Sequence, residues 1–532
     1  VTMVGLAVGI DYSLLIVTRF REELNHGHSR RESAWRTMQT AGKAVVTSGL
    51  TVAVGFAALL ITPAFETSSV GVGGMLVVTF AVLLTITLLP AVLVILGRAI
   101  DAPKALASKL AWYHAPSRWE RWARWLAHHP WRAILLGTVF VGAITWPLVN
   151  MRIGLPREGW FPRATESGAG VEQLERIGSR GSLQPLRVVI QSQNGSKVVG
   201  SRYLRGLRRL SDALRADPRV ADVRGPVDIR GGMSIFRYSV LYSDLDRARE
   251  RYPEFTDAYI STDGSTTLMD VILADTLTFL GSQQLVRSIR SQLQSGQIRG
   301  LDSLTTLVGG FAASSVDVQN ELLRQFPLVV GLILVVTAVM LFVAFQSILV
   351  PIKAVIMNSL SVAGAFGLMV LVFQQGVGAA IFGLDGPTEA VYAAVPVLVF
   401  AVVFGLSMDY EVFLLSRIKE AFERTHDNDK ATMEGLSATA SVITSAATIM
   451  IIVFGVSAFS RVLAAQLIGF GLAIAVALDA TIIRMVLVPA IMHIAGDWNW
   501  WPGIRKGDPL RRSSSPSLTQ RDSLPGQFYR TP

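Results

Sequence analysis

One pattern, present twice, constrains this chain more than any other. GLAVGIDYSLLIVTRFREE at 5–23 and FGLSMDYEVFLLSRIKEAFE at 404–423 are apolar runs interrupted by an Asp-Tyr pair, Asp11-Tyr12 and Asp409-Tyr410. In each, an Arg follows the Asp by eight residues (Arg19, Arg417) and a Glu by eleven (Glu22, Glu420). Eight helical residues rise about 12 Å. With the Arg at a membrane edge, each Asp sits near mid-depth of a hydrocarbon core about 30 Å thick. A carboxylate there costs roughly 2.5–3.5 kcal/mol on insertion scales and marks a functional position by default.

Composition agrees with a membrane setting. Of the 532 residues 51% are hydrophobic and 17% charged, against about 25% charged in soluble proteins. Nine segments are long and apolar enough to span: about 2–20, 43–62, 70–97, 133–150, 327–346, 350–374, 392–415, 440–459 and 463–494. Loop 19–43 holds six Lys/Arg and loop 98–132 seven, whereas loops 63–69 and 375–391 hold none. The positive-inside rule therefore places the first two, and the C-terminal tail, in the cytoplasm. The net charge of +10 then reads as topology and contact with anionic lipid, and no nucleic acid partner is expected. With no Cys in the chain, thiolate metal sites and cysteine nucleophiles are excluded. No Ser/His/Asp or metal-ligand spacing stands out, so neither an enzyme nor a metal site is expected.

Domains follow from these shifts. Residues 1–97 read as a partial transmembrane repeat. Residues 98–132 read as a basic, Trp-rich cytoplasmic stretch, an interfacial helix or a linker anchored by Trp112, Trp119, Trp122, Trp125 and Trp131. A span at 133–150 precedes a polar insert at 151–325 on the outer side, followed by spans at 326–496 and a disordered tail at 497–532 opened by a Trp cluster at the interface. In the insert, strands at 187–192, 219–225, 268–275 and 303–310 alternate with helices at 199–216 and 281–295. Strand, helix, strand, twice over, predicts a ferredoxin-like α+β domain. The stretch 231–239 reads as turn. Arg202, Arg205, Arg208, Arg209 and Arg215 mark a solvated face of the insert's first helix, with lipid headgroups the second reading.

The halves match beyond Asp-Tyr. AVVTSGLT (44–51) pairs with SVITSAAT (441–448), and LLPAVLVILG (88–97) with LVPAIMHIAG (487–496), at an offset near 398. Such duplication is characteristic of secondary transporters. The second half carries a span, the insert and two more spans before its Asp-Tyr helix; the first carries nothing there. Three spans and an outer domain, roughly 270 residues, are therefore expected to be missing.

GIDYSLLIVTRFREE, MDYEVFLLSRIKE and ALDATIIRMVLVPA (477–490) together resemble the mycobacterial-membrane-protein-large branch of the resistance–nodulation–division transporter superfamily. The resemblance runs from residue 1 to about 501 and corresponds to spans four to twelve of a twelve-span member. It implies a helical bundle in a bacterial plasma membrane, moving lipids or other hydrophobic molecules on proton flux. It also implies a proton relay at Asp11, Tyr12, Asp409 and Tyr410. An aromatic one turn after the second Asp is matched by Phe413; the first half has Leu15 instead. Protons are the coupling ion and no cofactor is expected. Candidate partners are membrane lipids or a lipid-like substrate, a complementary N-terminal half, and further copies of the chain as a homo-oligomer. The chain alone is expected not to transport.

These residue types suit the task. A proton carrier alternates between neutral and charged forms, and a phenol hydrogen bond steadies the anion. Neighbours on one helix point about 100° apart, so the Asp of one helix should meet the Tyr of the other across a pseudo-two-fold axis. Glu411 is a further relay candidate, with a helix contact as the alternative. Thr47, Ser48, Thr444 and Ser445 support the Asp helices or pack as small interhelical residues. Asp479 and Arg484 read as an internal salt bridge near the inner face. The reading from a different class is a non-transporting membrane partner that binds lipid; drug or siderophore efflux is a narrower variant of transport.

Overall fold

A computed structural model describes residues 2–62, 64–101, 116–156, 165–177, 181 and 184–503. Among them nine helices are long and apolar enough to cross a membrane, one for each segment read from the sequence. Their α-helical parts are α1 (Thr2–Asn25), α2 (Lys43–Ala58, within the span Arg30–Ile61), α3 (Phe65–Leu96) and, after α4 (Pro116–His128), α5 (Pro130–Thr145, within the span Pro130–Asn150). Beyond the insert follow α8 (Phe311–Phe345), α9 (Leu349–Met369), α10 (Ala394–Thr425), α11 (Asn428–Ser457) and α12 (Leu463–Leu478).

The centre of the bundle is α10. All residues from Ala394 to Met408 are buried, and a helix apolar on every side belongs inside. By contrast α3 exposes Leu76, Phe80, Leu84 and Leu88, a face for lipid. Two glycines let α2 and α10 touch. A Cβ at Gly55 would stand 2.7 Å from the Ala401 carbonyl oxygen, and one at Gly405 would stand 3.0 Å from Val52 Cα. In a membrane, where apolar burial gives helices no preference for each other over lipid, such close packing is what holds them together. The repeat shows in the pairing: α1 packs on α11, and its counterpart α10 on α2.

The insert holds a four-stranded antiparallel sheet, β1 (Leu186–Ser192), β2 (Val220–Arg224), β3 (Thr266–Leu273) and β4 (Leu304–Gly309), in the order β2-β3-β1-β4. Helix α6 (Ser201–Arg215) follows β1 and α7 (Phe279–Gln294) follows β3. Leu186, Val188 and Ile190 of β1 share one core with Leu204, Leu207 and Leu210 of α6 and Leu285 and Ile289 of α7. The stretch 231–239, expected as turn, contains the start of a helix, Ile235–Leu241. Ser234 caps it by accepting from the Arg237 amide at 3.4 Å, and Tyr238 is buried beneath. A serine followed by apolar residues is a start signal that the flanking glycines masked. The arginines of α6 bind protein as well as facing solvent: Arg208 donates to the Met233 carbonyl (3.1 Å), Arg209 to that of Arg299 (3.1 Å) and Arg215 to Asp228 (2.9 Å).

The boundary expected at 325 falls inside α8, which runs unbroken from the insert into the membrane. The root of the insert is knitted to the loop before α10: Ile153 bridges Val391, the Val391 amide donates to the Arg152 carbonyl (2.8 Å), and Gln319 of α8 donates to that of Ile153 (2.8 Å). One residue further, Tyr392 donates to Glu66 at 2.5 Å.

Helix α4 docks on the bundle. Trp122 donates to the Met485 carbonyl at 2.8 Å, and Ala123 and Leu126 are buried, while Trp131 is 70% exposed. In the Trp cluster Trp500 is buried and stacked on Phe422, whereas Trp498 and Trp501 face outward. Trp112 and the tail from 504 lie outside the described residues.

Candidate functional site

The two Asp-Tyr helices repeat each other in detail. Arg19 pairs with Glu22 at 2.8 Å, and Arg417 with Glu420 at 3.1 Å, so the motif spacing makes the same ion pair in both. Asp11 and Tyr12 are 8% and 2% exposed, Asp409 and Tyr410 are half-buried, and Glu411 is buried.

Across the interface the Tyr410 hydroxyl donates to Asp11 Oδ1. This is the cross-pairing that helical geometry calls for, realised in one direction. In the other, the Tyr12 hydroxyl, the Ser48 hydroxyl and Asp409 Oδ2 are buried without a hydrogen bond. Ser48, on α2, is the neighbour of both Tyr12 and Asp409. Thr47 is exposed and bonds its own helix at Lys43 O (3.0 Å). Thr444 and Ser445 likewise turn back to Ala440 O (2.8 Å) and Ser441 O (2.6 Å). Phe413 packs, half-buried, against the apolar core. Ser48 is thus brought to the Asp-Tyr cluster, while the other three hydroxyls bond within their own helices.

The cluster extends into the second half. Asp479–Leu487 forms a π-helical stretch, where backbone bonds run to the fifth residue. Residues five apart then share a face, whereas an α-helix would turn them about 140° apart. Asp479 and Arg484 are five apart, and they pair at 2.6 Å with both side chains buried. The pair lies at the depth of the relay, not near the inner face as expected, because Arg484 sits 5.2 Å over the Tyr410 ring. Asp11, the Tyr410 hydroxyl and ring, and the Arg484 guanidinium therefore form one line of alternating charge.

Ser407 and Asn358 continue it. Arg484 donates to the Ser407 carbonyl and to its hydroxyl, the latter at 2.9 Å. The Ser407 hydroxyl has two acceptors in reach, Asp479 Oδ2 at 2.6 Å and Asn358 Oδ1 at 2.9 Å. It carries one proton and serves one of them at a time. Asn358 in turn donates to Glu411 Oε2 at 3.3 Å. By contrast Ser13, the counterpart of Glu411, bonds its own helix at Gly9 O (2.7 Å). With Leu88 aligned on Leu487, Asp479 falls on Phe80 and Arg484 on Thr85, so the ion pair has no equivalent at these positions of the first repeat. A cavity of about 10 Å³ lined by Ser407, Tyr410, Asp479 and Arg484 touches the chain, close to the space one water requires. What these residues can do together is exchange protons and shift charge.

Sequence reasoning missed Ser407 and Asn358. The signal available was a polar residue inside an apolar run, which at Asn358 stands out in VIMNSLSVAG.

The MMPL family model matches residues 1–132 and 159–517. The mycolic acid-containing lipids exporter MmpL11 of Mycolicibacterium smegmatis is 33% identical, over 94% of this chain and 49% of its own length. The heme uptake protein MmpL11 of Mycobacterium tuberculosis is 32% identical over 94% of this chain and 48% of its own. The trehalose monomycolate exporter MmpL3 of Mycobacterium tuberculosis is 29% identical over 94% of this chain and 52% of its own. The chain spans about half the length of these curated relatives.

Proposed function

The chain belongs to the MMPL family, and from that premise we propose that it is part of a transporter driven by proton flux that exports lipids or other hydrophobic molecules. The observation that carries this reading is the hydrogen bond from Tyr410 of one repeat to Asp11 of the other. Two lipid exporters among its relatives support the substrate class. The membrane is a bacterial plasma membrane, with the insert, read as a ferredoxin-like porter-type domain, on the outer side.

The mechanism follows from the geometry. A proton entering Asp11 removes the charge that the Tyr410 hydroxyl serves. That hydroxyl is then free, while Asp409, Ser48 and Tyr12 hold the reciprocal pairing in reserve. Exchange between the two pairings shifts α1 against α10, and with them the packed pairs α1–α11 and α10–α2. One charge moved through 100 mV releases about 2.3 kcal/mol, enough to bias two states of similar energy. Helix α8 and the Val391 strap carry the shift to the insert, since α10 begins three residues after Val391.

The test is proton-dependent lipid export in the native host with Asp11→Asn or Asp409→Asn in the protein expressed from its own gene. Export is lost in both, with protein levels maintained; undiminished export in either refutes the relay.

A further inference from the structure

The last described segment closes over the inner end of the bundle. Gly496–Trp500 forms a short turn in which Asn499 is fully buried and Trp500 stacks on Phe422 at 5.2 Å. The Ile348 amide donates to the Trp501 carbonyl (3.1 Å), and the Gly503 amide to that of Gln346 (2.9 Å). Asn499 Nδ2 donates to the carbonyls of Met492 (2.8 Å) and Gly496 (2.7 Å), which fixes its orientation. Its Oδ1 is thereby aimed inward, where it accepts from Lys353 Nζ at 2.7 Å.

Lys353 is 7% exposed. A buried ammonium is expensive unless other groups compensate its charge. Glu411 of α10 is an acidic group within its electrostatic reach. Asp479 and Arg484 act on the same carboxyl from the π-helical stretch, and Asn358, one residue more than a turn beyond Lys353 on α9, donates to it at 3.3 Å. Lys353 therefore joins α9 directly to the strap at 496–503 through Asn499, and the same helix reaches Glu411 through Asn358.

We propose that Lys353, held by Asn499, is a positioning residue for proton passage between Glu411 and the inner face, and that the 496–503 strap controls this passage by holding or releasing it. The proposal rests on the relay described above. A neutral clasp between α9 and the strap needs no charge; a residue that sets the charge state of Glu411 does. Release of Asn499 removes the oxygen that holds the ammonium and frees Lys353 to approach Glu411 or the cytoplasm.

The experiment measures proton-driven export in inverted vesicles from native host membranes, with each rate divided by the amount of monodisperse protein. Lys353→Met, which keeps the apolar stem, lowers the rate about tenfold. Lys353→Arg, which keeps the charge, restores most of it, and Asn499→Ala reproduces the loss. Lys353→Met combined with Glu411→Gln is no slower than Glu411→Gln alone, because both act at one step. A wild-type rate in Lys353→Met, or losses that multiply in the double variant, overturns the inference. If Lys353→Met does not assemble, Lys353→Arg and Asn499→Ala decide: loss in Asn499→Ala with rescue in Lys353→Arg supports it, and equal loss in both overturns it. Asp409→Asn serves as the control: a full rate there refutes the relay itself, whereas loss there beside a full rate in Lys353→Met refutes only the role of Lys353.

Discussion

Tyr410 donates its hydroxyl proton to Asp11, a residue 399 positions earlier and in the other copy of the repeat. The reciprocal pair does not close: the Tyr12 hydroxyl and Asp409 Oδ2 are buried without hydrogen bonds. In this structure the two sequence copies thus close only one half of a symmetric pattern.

This asymmetry separates the two tyrosines in stability. Tyr410→Phe leaves a buried Asp11 oxygen without its donor and costs about 1–3 kcal/mol. Tyr12→Phe removes a hydroxyl that bonds nothing in this state and leaves stability unchanged or raised. Thermal unfolding of the detergent-solubilised protein checks the difference; equal losses contradict it.

The Asp479–Arg484 pair predicts a second separation. Arg484→Met strands a buried carboxylate and destabilises by about 3–5 kcal/mol. Adding Asp479→Leu removes the stranded charge and recovers most of the stability, since an ion pair replaced by apolar side chains is often neutral. Export stays lost in the double variant if the pair serves the relay. Unfolding and export measured on the same membranes distinguish the two effects.

The crossing of α2 and α10 depends on Gly55 lying against the Ala401 carbonyl. Gly55→Val forces the helices apart and costs about 1–3 kcal/mol. Limited proteolysis between the halves reports it as accelerated cleavage; an unchanged rate contradicts the packing.

In the insert, burial raises the Asp228 carboxyl above the usual carboxylate range, against the lowering by Ser211 and Arg215. The folded state therefore holds this proton to higher pH than the unfolded chain does. Its contribution to stability is present below the ordinary Asp value and is lost as pH rises through the folded one. Asp228→Asn removes that dependence. Hydrogen exchange of β2 and α6 peptides, followed from acid to neutral pH, reads it: the slope flattens in the variant, and an unchanged slope contradicts the assignment.

How much of this was legible in the sequence depended on periodicity and repetition. The nine spans, the insert's strand–helix alternation and the Asp-Tyr pairs came from patterns that neighbouring residues share. The extension through Ser407, Asn358 and Asp479 did not, because its members come from three different helical segments and only packing brings them together. Asp479 and Arg484 were visible as a charge pair, but their depth was hidden, since an α-helical reading points them to different faces and the π-helical turn brings them to one. Lys353 was readable in principle as a lone cation inside VPIKAVIM, an intramembrane charge of the kind that signals function.

The relay is tested most directly by proton flux itself. In inverted vesicles from native host membranes, a pH-sensitive dye follows proton movement tied to lipid export by the wild-type protein, Asp11→Asn and Asp409→Asn. The account predicts that both variants lose export and its associated proton movement while remaining folded and abundant. Either variant exporting at the wild-type rate with protons still moving would contradict it.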